Sequence, residues 1–211
     1  MNTNPPSRPG TRRQKLKAHT RELILQTARA LFEEHGFEGA TMRAVAEQAG
    51  IALGTIFTHF PDKGALLLAA ILEDLAATDR QIVDTLPTDA PIRDQILHLA
   101  KAGYGYWCSR PALSAVLLRE MYFITGPWAE TRRKETDRFI TYGRNLLEAA
   151  RQRGEIAPDA DCREIIQALY TFYIGRLIRA AGNNRFDLEE LLADTAAFID
   201  TMLSGIARRS D

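Results

Sequence analysis

The sequence predicts an all-α protein: an N-terminal three-helix bundle containing a helix-turn-helix, followed by a longer helical domain, about nine helices in all. Three observations predict it. Apolar residues recur at three- and four-residue spacing between Gly and Pro breaks, and no run alternates as a strand would. The stretch from Thr41 to Lys63, TMRAVAEQAGIALGTIFTHFPDK, reads as two short helices about a glycine turn. The expected organisation is a flexible basic arm over 1–16, a helix-turn-helix domain over 17–62 and a second helical domain over 63–211.

Residues 1–10, with three prolines, a glycine and a serine, hold too little apolar surface to order themselves. The formal net charge of the chain is zero, but its distribution is uneven. Residues 1–21 contain Arg8, Arg12, Arg13, Lys15, Lys17 and Arg21 and no acid, a charge of +6, while the remainder, 21 basic against 27 acidic, carries −6. Either this segment is an inert tail, or its cations reach a phosphate or minor groove.

The first helix is expected over 17–35, with Ile24, Ala28, Leu31 and Phe32 on one stripe and Gly36 as its stop. Thr41 is placed to cap the second, Val45, Ala46 and Ala49 follow at helical spacing, and Gly50 supplies the left-handed turn. A third helix over 52–59 buries Ile56, with Phe60 next on the same stripe, and Pro61 ends it. Its other side shows Ala52, Leu53, Gly54, Thr55, Phe57, Thr58 and His59, without an acid. A helix that merely faces water is usually filled with Lys, Glu and Gln, so this face points to another partner, and the second helix of such a pair suits a DNA major groove. There Thr55 and Thr58 can bond phosphates or bases, Ala52 and Leu53 can meet thymine methyls, and Gly54 permits close approach.

The run from Leu23 to Leu67, centred on LFEEHGFEGATMRAVAEQAGIALGTIFTHFPDKGALL, resembles the N-terminal domain of tetracycline-repressor (TetR) family transcriptional regulators. The resemblance implies that Thr41 holds a phosphate and that Arg43, Ala52, Leu53, Gly54, Thr55, Phe57, Thr58 and His59 face the DNA. It also implies that Lys63 grips a phosphate at the start of the fourth helix. Two departures stand out: most members carry tyrosine where this chain has Phe57, and a polar residue is common where Leu53 stands. Both remove hydrogen-bonding capacity from the face.

Beyond the motif, a fourth helix is expected to start near Asp62 and run towards Leu86. Others follow over 91–109, 112–124 and 127–153, separated by Pro and Gly breaks. The last two open on Asp161 with Glu164 and on Asp187 with Glu190, each in the spacing of a capping box. Their apolar faces are wide. By the resemblance they pair with their twins across a homodimer interface of Leu169, Phe172, Arg176, Leu191, Thr195, Ile199 and Met202; alternatively both stripes are buried within one subunit.

Aromatic residues concentrate in this half. Either they are plain core, or, as the resemblance implies, Tyr104, Trp107, Met121, Phe139 and Tyr173 line a small-effector cavity, with His98 and Glu120 adding polarity.

Cys108 and Cys162 lack Cys or His neighbours at zinc spacing and read as reduced thiols. No nucleophile with a base, metal set or phosphate-binding glycine loop occurs, so neither an enzyme nor a cofactor is expected. The longest apolar run, 65–72, is too short to span a membrane and the polar start lacks a signal-peptide core, so a cytoplasmic protein is expected. The combined expectation is a homodimeric, effector-responsive repressor of a pseudo-palindromic operator; the alternative is a non-specific architectural DNA-binding or protein-interaction module.

Overall fold

Helix punctuation by caps and glycines accounts for most of the element boundaries. The computed structural model describes residues 11–123 and 127–206, with side chains at all of these except 73, 74, 76, 77, 79–81, 120–123, 127, 128, 131, 135 and 206. Nine helices are described: α1 (Arg12–Gly39), α2 (Met42–Ala49), α3 (Leu53–His59), α4 (Lys63–Asp84), α5 (Ile92–Cys108), α6 (Pro111–Phe123), α7 (Pro127–Gln152), α8 (Cys162–Gly182) and α9 (Leu188–Ile206). No strand occurs among the described residues.

The chain divides by its contacts into two units, Met1–Ala70 and Ile71–Asp211. In the first, α1 starts earlier than the sequence pattern indicates. Thr11 and Gln14 form a reciprocal capping box, with the Thr11 N–H donating to Gln14 Oε1 at 2.7 Å and the Gln14 N–H to Thr11 Oγ1 at 3.4 Å. Arg12, Arg13 and Lys15 therefore lie in the opening turns of a helix, not on an arm; the rest of the proposed arm, residues 1–10, lies outside the described residues. Gly36 breaks the helix with φ 69°.

The core of this unit is the stripe read from the sequence. Ile24, Leu25, Ala28, Leu31 and Phe32 pack with Val45, Ala46, Ile56 and Phe60, all buried. The first two turns of α4 belong here as well, because residues 65–70 are buried without a gap and the Arg29 guanidinium donates twice to the Ala70 carbonyl, at 3.2 and 3.1 Å. The division thus falls within α4, after Ala70, where the sequence placed it before Lys63.

In the second unit Ile92, Leu147, Ile156, Cys162, Ile166 and Ile199 meet in one apolar cluster. The loop before α5 is pinned by the buried Gln95, whose Nε2 donates to the carbonyls of Thr88 and Ala90. The Ile92 N–H, orphaned at the start of α5, donates to Glu155 Oε2 at 2.6 Å. Asp161 caps α8 by accepting from the N–H groups of Arg163 and Glu164, and Asp187 caps α9 through Glu190 N–H. Both cysteines are free thiols, and burial raises the pKa of each. No helix among the described residues is long and apolar enough to cross a membrane.

The apolar stripes of α8 and α9 turn inward. Leu169, Leu191, Thr195 and Ile199, assigned above to a dimer interface, are buried within the single chain. Leu169 and Ile199 join the apolar cluster, and Thr195 accepts from α5, so these residues have no surface left for a partner. Phe172 stacks on Phe198 at 4.1 Å, Met202 packs against the cluster, and Arg176 pairs with Asp194 and Glu190. The exposed positions of the two helices include Thr171, Gly175 and Ile178 on α8 and Ala193, Ala197 and Thr201 on α9, beside charged residues such as Arg179 and Asp200.

Candidate DNA-contacting surface and effector cavity

The α2–α3 corner is set by caps at each end. Thr41 Oγ1 accepts from the Ala44 N–H at 3.0 Å. At the other end Gly50 takes φ 65°, ψ 32°, and the Ile51 N–H closes the turn onto the Ala46 carbonyl at 3.0 Å. With Ile56 fully buried as the inward anchor of α3, the remaining positions of that helix turn outward. Ala52, Gly54, Phe57 and Thr58 are exposed and Leu53, Thr55 and His59 half-buried; Phe57 shows 50% of its surface, unusual for so large an apolar side chain. Thr41 and Arg43, on the adjoining α2 corner, are exposed as well.

Cations surround this face. Lys17 and Arg21 on α1 act electrostatically on His59, and the Arg21 guanidinium lies 5.5 Å from the centre of the Phe60 ring. Burial first, and then these two positive charges, hold the His59 imidazole below its ordinary pKa. Charge patterning drew attention to the N-terminal bases, but their position beside His59 appears only when α1 folds across α3.

Lys63, to which the resemblance gives a phosphate, is bonded within the unit itself. Its ammonium donates to the Phe37 carbonyl at 2.6 Å and sits 4.2 Å from the centre of the Phe37 ring. A carbonyl at the end of α1 lacks an intrahelical donor, and Lys63 supplies one, fastening α4 to the first helix. Asp62 caps α4 through the Ala65 N–H at 2.7 Å, as its sequence position indicates.

A cavity of about 150 Å³ lies within the second unit, walled mostly by apolar side chains of α4, α5, α7 and α8. Of the residues assigned to it from the sequence, Trp107, Phe139 and Tyr173 line it. Tyr104 stands behind the wall, its ring 4.7 Å from that of Tyr173. The Met121 and Glu120 side chains lie outside the described residues, and His98 turns to the Thr85 hydroxyl at 3.1 Å instead of the cavity.

Three further polar residues of the wall, Arg132, Thr136 and Tyr170, were not assigned to it from the sequence. Thr136 and Tyr170 place their hydroxyls 3.3 Å apart, and Arg132 is the charged lining residue among those described. Two glycines also line it. A Cβ on Gly103 would stand 2.7 Å from the Tyr173 hydroxyl, and one on Gly143 would stand 2.3 Å from Ile166 Cδ1. An isolated glycine in a helical pattern is the sequence signal that marks such close approach.

Among the described residues no group of His, Cys, Asp and Glu is arranged to hold a metal ion. What the two units offer is an outward α3 face without acids, with Lys17 and Arg21 close by, and a largely apolar chamber with a few hydroxyls.

Comparison with known proteins gives this pairing its class. Residues 24–70 match the family described as bacterial regulatory proteins, tetR family. The chain is 29% identical over 172 residues to the HTH-type transcriptional repressor AcnR of Corynebacterium diphtheriae, covering 82% of this chain and 87% of that protein. It is also 29% identical over 199 residues to the HTH-type transcriptional regulator UidR of Escherichia coli, covering 90% and 94%. In fold it resembles the solved Thermus thermophilus FadR, a TetR-family repressor in complex with lauroyl-CoA, with a TM-score of 0.71 at 22% identity over 90% of this chain and 97% of that one. Residues 24–70 thus carry the DNA-binding domain of the tetR family, and over most of its length the chain is similar to HTH-type transcriptional regulators.

Proposed function

We propose that the protein is an effector-responsive repressor: a homodimer that occupies a pseudo-palindromic operator through two copies of α3 and leaves it when a small, largely apolar molecule fills the cavity of the second unit. The observation that carries this reading is the outward face of α3. It leaves Phe57 half in solvent and holds no acid, while Lys17 and Arg21 stand on the neighbouring helix. Thr41, Arg43 and the half-buried Thr55 and His59 complete the surface offered to DNA, with Lys63 as a fastening behind it. The domains follow the contact division, the DNA-binding part ending near Ala70 and the effector and dimerisation part occupying the rest.

The composition of the cavity supports an effector that is apolar over most of its length and meets the Thr136 and Tyr170 hydroxyls with a polar group. The lauroyl-CoA carried by the Thermus thermophilus neighbour, a molecule with an acyl chain, agrees with that chemistry. Pairing of two chains is supported by the outward side of α8 and α9, where small residues permit close approach and Ile178 is half exposed. The two α3 helices of a symmetric pair then meet successive major grooves.

The test is a titration on the DNA upstream of the protein's own coding region, near physiological salt, with random duplex as competitor. A discrete complex that outlasts a large excess of competitor, and that acyl-CoA or free fatty acids of graded length dissolve, is the expected result. A complex lost to competitor at equal concentration overturns specific recognition and favours the architectural alternative.

A further inference from the structure

The groups that most often read bases are absent from α3. Bidentate readout of guanine needs Arg or Lys and of adenine Asn or Gln, and none of these lies between Ala52 and Phe60. The hydroxyls add little. Thr58 Oγ1 donates its one hydrogen to the Gly54 carbonyl at 2.9 Å, which leaves a methyl and an acceptor facing outward. Beside the half-buried Thr55 and His59, most of what the helix presents is apolar: the half-exposed ring of Phe57, the partly exposed Leu53 and the methyl of Ala52. They surround Gly54, where an added Cβ would meet no protein atom within 4 Å. The cations nearby stand on α1 and α2, and the first helix of such a pair crosses the backbone, where charge positions without reading sequence.

The apolar feature that distinguishes one base from another in the major groove is the C5-methyl group of thymine. We propose that this protein selects its operator through thymine methyl groups, met by Phe57 and Leu53, and not through hydrogen bonds to base edges. The proposal rests on the operator-binding reading above and names the chemistry by which that binding becomes specific. It assigns Phe57 a reading role in its own right: the ring lies on the solvent side of α3, not in the core.

The full-length protein is used to select duplexes from a random library. The enriched site is then resynthesised with deoxyuridine in place of each thymine in turn, and affinities are measured by fluorescence anisotropy. Each contacted methyl is expected to be worth about four-fold in affinity, the roughly 0.8 kcal/mol of one buried carbon, and about fifteen-fold when removed from both half-sites. The same series is run on Phe57→Ala, at an exposed position, and on Leu53→Ala, at a half-buried one, each first shown by its thermal melt to be folded. The loss at one thymine is expected to vanish in the variant whose side chain met that methyl, while the losses at the other contacted thymines persist.

Uridine substitution without effect anywhere overturns the proposal. So does an equal loss in wild type and both variants, which assigns the effect to duplex shape. A library from which nothing is enriched overturns the operator reading itself, and this proposal with it.

Discussion

Tyr104 is fully buried in the middle of α5, and its hydroxyl lies 2.9 Å from Thr195 Oγ1 on α9. Thr195 donates its own hydrogen to the Leu191 carbonyl at 2.8 Å, so the tyrosine is the donor of the pair. Tyr104→Phe removes that donor but leaves the threonine bonded, and is expected to lower unfolding free energy by about 1 kcal/mol, read as a shift of the urea midpoint at constant slope. His59 makes a different prediction. Its folded pKa lies below the ordinary 6.5, chiefly through burial and then through Lys17 and Arg21. Above that pH both states are neutral and nothing is contributed. As pH falls beneath it, the unfolded chain takes up a proton that the folded domain resists, so stability declines. His59→Gln should therefore flatten the decline between roughly pH 7 and pH 5; equal slopes in the two proteins would refute it.

At the level of the element, α3 is short and has no side-chain cap at its N-terminus, so it is held by Ile56 and by its neighbours. Gly54 lies inside it with open space where a Cβ would go. Gly54→Ala is expected to raise stability by about 0.5–1 kcal/mol while weakening operator binding, because the added methyl occupies the gap the helix needs against DNA. A variant gaining stability with undiminished affinity would place that part of α3 away from the duplex. Gly50→Ala should instead cost about 1–2 kcal/mol, since φ 65° is a conformation that a side chain opposes.

The helices themselves were legible from punctuation: Thr41, Gly50, Pro61, Asp161 and Asp187 each act where the sequence puts them. The start of α1 was not, because a Thr11–Gln14 box beside a proline-rich stretch looks like the end of a tail. Nor was the side to which α8 and α9 turn. Leu169, Leu191 and Ile199 form stripes that suit an interior and an interface equally, and only the neighbouring helices decide.

For the whole molecule, the outward side of α8 and α9 carries the prediction of assembly. Ile178→Glu places a charge where the proposed partner helix would pack, and is expected to halve the native mass at micromolar concentration and to reduce operator affinity with it. An unchanged dimer would move the interface elsewhere. Occupancy of the cavity should also register on the entire fold: a ligand at about one hundred times its dissociation constant adds about 2.7 kcal/mol, a rise in melting temperature of a few degrees.

The outward face of α3 was readable from the sequence because it depends on one short local stretch, in which Ile56 turns inward and Phe57 and Thr58 outward. The chamber was not, because its wall is gathered from five helices, and Arg132, Thr136 and Tyr170 resemble ordinary helix residues until the chain has folded.

Gly103 and Gly143 give that chamber an evolutionary dimension. Each lets a neighbouring side chain come close by lacking one of its own, and each is one nucleotide substitution from alanine. The methyl so introduced would press on Tyr173 or Ile166 at the wall and alter what fits inside, without changing any residue of α3. A lineage carrying this gene can thus change the signal it obeys while continuing to govern the same promoter.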